Sequence, residues 1–269
     1  MRGSTITLED YPVEVALATF RGAGFTSVEL WKNHLRRART NELRRLIVKH
    51  GQSLGIAMGG FNAVGEEYFQ PFTDPEGTLA GLRADLEITL ALGTKDLLIW
   101  EGAAPKGTTE AHWLSDLLPR LIELFQQFLA EAKPRGVRVL VEPHPFTVGM
   151  SDRFLTQLCD AFDPADFGVT FDFCHYGVGR SKDYVAAIHA LGHRIRHIHF
   201  SDTDGKISEL HFPPREGTMD IDAMLAAFRE IHYDGTMTLD LYGYPTPVEA
   251  LPRSAARMRE ACEFLGISC

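Results

Sequence analysis

The chain has 269 residues, 45% of them apolar, and a formal net charge of −9. That composition supports one large core, and the acidic balance argues against a nucleic-acid partner, which needs clustered Lys and Arg. No apolar run approaches the roughly 20 residues that cross a bilayer, so no membrane partner is expected.

In chain order, a short first strand is expected near 3–7 and a helical pattern over 11–23. Strand patterns recur at 26–31, 54–59, 96–100, 137–142, 168–173, 195–200 and 236–241. Helical patterns follow them at 40–50, 76–92, 109–132, 151–161, 181–191, 219–231 and 247–265. The stretch "MDIDAMLAAFREI" is representative: Ile221, Met224, Leu225, Phe228 and Ile231 recur at helical spacing behind the capping residues Thr218 or Asp220. In "EAKPRGVRVLVE", Pro134 and Gly136 stop a helix before a strand. The basic run "HLRRARTNELRR" (34–45) reads as a solvated helix face. Eight strand–helix units predict a parallel sheet closed into a (β/α)8 TIM barrel, a single domain over 1–269. An open doubly wound sheet is the runner-up, but no GxGxxG follows the first strand. Cys159, Cys174, Cys262 and Cys269 form no CxxC pair, and "MRGSTITLED" does not look like a signal sequence. Reduced thiols and a cytoplasmic setting are therefore expected.

Side chains two apart share a strand face. Val137, Val139 and Val141 oppose Leu140 and Glu142; Val169, Phe171 and Phe173 oppose Thr170 and Asp172. Ile198 and Phe200 oppose His197, His199 and Ser201; Met237, Leu239 and Leu241 oppose Thr236, Thr238 and Asp240. Four inner faces thus end in Glu142, Asp172, His199 and Asp240, at the barrel mouth where active sites sit. Three buried carboxylates together are costly unless a cation neutralises them. Oxygen-rich ligation with one imidazole suits Mn²⁺ first, and also accommodates Mg²⁺, Co²⁺ or Zn²⁺.

The motifs "VELW", "VEPHP", "FDFCHYG", "HIHFSD", "EGTMDID" and "MTLDL", in this order, resemble the xylose isomerase-like TIM-barrel superfamily over essentially the whole chain. That group includes sugar (phosphate) isomerases and epimerases, inosose-processing enzymes and endonuclease IV. The resemblance implies a divalent metal held by Glu142, Asp172, His199 and Asp240, and allows a homo-oligomer. The family's last ligand is usually Glu, often doubling as an acid/base, so Asp240 departs by one methylene. An Arg that follows the metal His in some ketose epimerases is missing here; Lys206 and Arg215 stand nearby instead.

His175, three after Asp172, is expected to touch substrate and to serve catalysis; His144, Lys206, His211, Arg215 and Glu29 complete the expected substrate contacts. Glu29 could equally pair with a barrel Lys or Arg. His197 reads as a core histidine and Asp202 as an orienting partner for His199 or Lys206; Trp31, Phe61 and Trp100 could form an apolar wall. The expected reaction is isomerisation or epimerisation of a small keto-sugar or keto-polyol through an enediolate, with Glu142 as base and Asp240 or His175 as its partner. The same enolate can expel a β-leaving group, which makes a dehydratase or lyase on a keto-polyol or oxidised glycoside the alternative. An abasic-site endonuclease is remote, since "IAMGGFN" and "LLIWEGA" supply no further histidine ligands. A non-catalytic accessory subunit is the third reading.

Overall fold

Alternating strand and helix patterns return the chain to its own beginning, so that the last strand pairs with the first. A computed structural model describes residues 1–64, 69–180 and 183–268. In it, β1 (Arg2–Ser4), β2 (Ser27–Trp31), β3 (Ala57–Asn62), β4 (Asp96–Ile99), β5 (Arg138–Val141), β6 (Phe167–Asp172), β7 (Ile195–Phe200) and β8 (Thr236–Leu239) close a barrel in sequence order. Every neighbouring pair is parallel, including β1 with β8. Around it run α1 (Val13–Gly22), α2 (Asn41–Ser53), α3 (Pro75–Leu92), α4 (Glu110–His112), α5 (Leu118–Ala132), α6 (Asp152–Asp160), α7 (Phe173–Gly179), α8 (Tyr184–Leu191), α9 (Ile221–Glu230) and α10 (Pro247–Leu265). This is the expected TIM barrel. No helix among the described residues is long and apolar enough to cross a membrane.

Local chemistry sets the helix ends. Asp74 caps α3 by accepting from Gly77 N, Pro75 occupies the first turn, and Gly93 closes the helix at φ 72°. Asp220 caps α9 through Ala223 N, as its pattern predicts. The pattern over 109–132 is not one regular helix: a π turn, Trp113–Leu117, joins α4 to α5. The pattern at 54–59 is displaced, because α2 runs on to Ser53 and Gly55, at φ 74°, makes the turn into β3. The beginning of the helix expected at 181–191 lies partly outside the described residues; α8 starts at Tyr184.

The apolar strand faces meet the helices as one buried core: Val139, Val141, Val169, Phe171, Ile198, Phe200, Met237 and Leu239 all belong to it. The opposite faces point inward. Two register shifts, between Val28 and Glu29 and between Val169 and Thr170, adjust where those inward residues land. At the first, Gly60 makes room for Glu29: a Cβ there would lie 3.3 Å from Glu29 Cγ. Cys159 and Cys174 are buried free thiols, whereas Cys262 is disulfide-bonded. That corrects the expectation of reduced cysteines, because bridging depends on how closely segments approach and not on a CxxC spacing. Cys269 lies outside the described residues.

Candidate active site

Four consecutive strands deliver the inner residues to the mouth. Glu142 follows β5 and is tied to β4 by its N–H to Ile99 O at 2.8 Å. Asp172 ends β6 and caps α7, accepting from His175 N at 2.8 Å, so one carboxylate both begins that helix and places His175. His199 lies on β7 and Asp240 just past β8. All four are at least 97% buried. Glu142, Asp172 and His199 offer ligand atoms that all lie within 4.8 Å of one another. His199 Nδ1 is 2.8 Å from Glu142 Oε1, 3.5 Å from Asp172 Oδ2 and 3.7 Å from Asp240 Oδ2. Asp240 stands outside the three-residue set; its Oδ1 accepts from Tyr242 N at 2.9 Å.

Beneath this mouth is a buried hydrogen-bonded chain. Glu29 Oε1 lies 3.0 Å from His199 Nε2, Glu29 Oε2 lies 3.0 Å from His197 Nε2, and Asn62 Nδ2 donates to Glu29 Oε1 at 3.2 Å. His197 Nδ1 is 2.6 Å from Thr236 Oγ1. An Nε2–H donated to Glu29 leaves His199 Nδ1 to face the mouth, the orientation a metal-ligating imidazole needs. Burial alone would raise Glu29, but the His199 and His197 rings hold it well below the usual carboxylate range. Glu29 is thus a partner of histidines, not of a Lys or Arg, and being fully buried it does not line the cavity.

Asp172, His175 and His211 form a second group of three potential ligands within 4.8 Å. His211 Nε2–H donates to Ser208 O at 3.0 Å, and Nδ1 faces Asp172 Oδ2 and Asp240 Oδ1, each at 3.7 Å. Its position comes from a loop that folds back: Asp202 pairs with Phe212, and His211 N donates to Tyr242 O at 2.9 Å. Asp172 Oδ2, His175 Nδ1 and His211 Nδ1 are buried without a hydrogen-bond partner among the described residues. Burial would raise Asp172, yet the His175, His211 and His199 rings hold it well below its ordinary range. Burial pushes His175 down, against the pull of Asp172 and Glu142. His144 lies against His175 with ring centroids 3.9 Å apart and planes tilted by 38°, and is pushed down by burial and by His175. Burial pushes Asp240 up to about 6, with His211 and His199 opposing it.

A cavity of about 350 Å³ opens over the carboxylates, lined by Glu142, Asp240, His144, His175 and His211 together with Trp31, Trp100, Phe146, Tyr242, Asn62 and Lys32. Besides Glu29, two further expected contacts are not brought there. Arg215 is bound to Asp222 of α9 at 2.6 Å on the outer surface, and Lys206 is exposed on the loop after β7 and does not line the cavity. Asp202 does not orient His199 or Lys206; its carboxylate accepts from Thr203, Gly217 and Met219 N–H groups and so holds the loop. Phe61 is a core residue, while Trp31 and Trp100 do line the cavity. Asn62, Phe146, Tyr242 and Lys32 were not anticipated, because each is placed by a loop or by the end of a strand with an unremarkable pattern. Glu101 was also missed. It is fully buried beside the site, with Oε1 accepting from Gly149 N at 2.8 Å and Oε2 unpartnered among the described residues. Burial pushes it up to about 7.

A profile of the family described as xylose isomerase-like TIM barrel matches residues 17–265. No curated protein sequence matches the chain. Among solved structures, an L-ribulose 3-epimerase superposes with TM-score 0.79 at 15% identity, over 98% of this chain and 95% of its own. The IOLI protein with a bound zinc atom gives TM-score 0.77 at 17% identity, over 98% and 97%. The probable 3-DHS dehydratase AsbF from Bacillus anthracis gives 0.75 at 16% identity, over 96% and 98%. At these identities the likeness is one of fold.

Proposed function

The chain belongs to the xylose isomerase-like TIM-barrel family, and on that premise we propose that it is a divalent-metal-dependent isomerase or epimerase of a small keto-sugar or keto-polyol. The observation that carries this reading is the convergence of Glu142, Asp172 and His199 within 4.8 Å beneath an open cavity. Their donor set fits a cation: two carboxylates face one imidazole nitrogen, and Asp172 Oδ2 is a buried oxygen with no hydrogen-bond partner among the described residues. In this reading Glu142, Asp172 and His199 hold the ion and Asp240 supplies the fourth ligand. Mn²⁺ is the preferred occupant for such oxygen-rich ligation. When bound, a divalent cation draws electron density from a substrate carbonyl and its neighbouring hydroxyl and so acidifies the C–H between them.

The residues do the rest. Glu142, lining the cavity, takes the proton from carbon, and His175, whose Nδ1 faces Glu142 Oε1 from 3.7 Å without a hydrogen bond, is a candidate for returning one. Asp240, which also lines the cavity, is the other acid that can return a proton. His144 and His211 line the cavity and bind substrate oxygens. The setting we propose is cytoplasmic, with a small-molecule sugar or polyol as partner. A dehydratase or lyase is the second reading, favoured by Asp240 standing outside the three-donor set, where a weaker second acid leaves the enolate free to expel a β-group.

The test is incubation with Mn²⁺ in D₂O against ketoses, inososes and keto-glycosides. Deuterium at a carbon next to a carbonyl is expected, abolished by chelation. An unsaturated ketone as product selects the second reading. Full metal occupancy with no exchange into any of these substrates overturns both.

A further inference from the structure

The cavity walls include four aromatic side chains, Trp31, Trp100, Phe146 and Tyr242. Trp31, which ends β2, and Tyr242, which follows β8, have ring centroids 6.5 Å apart; Trp100 and Phe146, 5.5 Å apart, follow β4 and β5. In an eight-stranded barrel ordered by sequence, these pairs stand on opposite arcs of the rim. Trp31, Tyr242 and Phe146 are not packed against the hydrophobic core, and Phe146 is 42% exposed. Their faces are therefore not accounted for by folding. Trp100 is buried, yet its indole N–H has no partner among the described residues, leaving a donor at the cavity wall.

Charge narrows the ligand further. Glu142, Asp240 and Glu209 line the cavity, and Lys32 is the one Lys or Arg among the described lining residues. Lys32 is engaged by Asp85, its Nζ 3.1 Å from the carboxylate, and Asp85 is itself buried. A phosphate needs unsatisfied cationic or N–H donors around it and would here face carboxylates instead.

Resting on the isomerase reading, we propose that the substrate is an uncharged keto-sugar bearing an apolar group. Its carbonyl end lies among the carboxylates and its apolar group between the two aromatic pairs. The volume of about 350 Å³ falls within the range of pockets that enclose ligands larger than a single small sugar, roughly 300–1,000 Å³.

Calorimetric titration of the Mn²⁺-loaded protein with 6-O-phenyl-D-fructose, 6-O-methyl-D-fructose, D-fructose and D-fructose 6-phosphate tests this. Partial burial of the phenyl ring gives an expected preference over methyl of about tenfold. Phe146→Ala and Tyr242→Ala, both at sites outside the core, should each reduce that preference to about twofold or less. D-fructose 6-phosphate should bind no more tightly than D-fructose. Equal binding of the phenyl and methyl compounds, no binding of the phenyl compound, or tighter binding of the phosphate overturns the proposal. The deuterium-exchange assay reads the chemistry separately: a phenyl preference without exchange leaves the ligand class standing and removes the isomerase reading.

Discussion

The two ends of the barrel handle buried charge in opposite ways. At the floor, where the strands begin, Asp96 is neutralised by Arg138, 2.8 Å away on the adjacent strand, and by Arg2 at 3.6 Å. Opposite signs meet, so charge is compensated within the cluster, although Arg2 Nη1 is itself buried without a hydrogen-bond partner among the described residues. At the mouth, Glu142, Asp172 and Asp240 converge on His199, and Asp172 Oδ2, His175 Nδ1 and His211 Nδ1 remain without hydrogen-bond partners among the described residues. Buried polar groups are normally satisfied, so three converging carboxylates beside three orphaned atoms set the mouth apart from the compensated floor. On the proposed function, the contrast separates charges that hold the barrel together from charges that would hold a ligand.

The largest effect expected from breaking this contrast is at Asp172. Asp172→Asn keeps a side-chain oxygen to cap α7 but removes a central anionic ligand. Because even partners outside the ligand shell cost about 10–100-fold, metal affinity and turnover should fall by roughly 10³-fold or more. Metal content and exchange rate measure it; an Asn variant that retains its metal would place the ion elsewhere.

Next comes Glu101, a mouth acid with a buried unpartnered oxygen. Its folded pKa is raised to about 7 from an ordinary 4.5. The unfolded chain therefore releases this proton first as pH rises, and the folded state loses relative stability between about pH 4.5 and 7. At about 1.4 kcal/mol per pH unit the loss reaches roughly 3–3.5 kcal/mol. Below pH 4.5 the contribution is flat. Chemical denaturation across this range should show the slope in the native protein and lose it in Glu101→Gln; an unchanged slope in the variant would assign it to other groups.

Asp240→Glu lengthens the short acid by one methylene. Misplacement on the order of 1 Å costs about 10²-fold in rate, so kcat should fall by about that factor at full metal occupancy. An equal or higher kcat would mean that the shorter acid is incidental.

The smallest effect belongs to the floor. Asp96→Asn leaves Arg2 and Arg138 without their counter-charge. Breaking a fully buried pair costs about 3–5 kcal/mol, and these side chains are partly accessible, 9–20% exposed, so about 2 kcal/mol is expected. Metal content and turnover per folded molecule should not change. A loss of turnover here would erase the distinction between the two ends.

Much of this architecture is local in origin. Period-two alternation puts Glu142, Asp172, His199 and Asp240 on inner strand faces, and strand–helix repetition predicts the barrel that brings strand ends to one mouth. Those are short-range rules, readable in a few residues at a time. The bonds from Glu29 to His197 and His199 join residues 168 and 170 positions apart, and no local pattern announces them. The same holds for the loop after β7. Its amides gather on Asp202, which swings His211 over Asp172 while leaving Lys206 exposed and Arg215 paired with Asp222 on the outside. Only closure of the barrel decides these placements, because a loop's path is set by the distant groups that satisfy its backbone and not by the residues it contains.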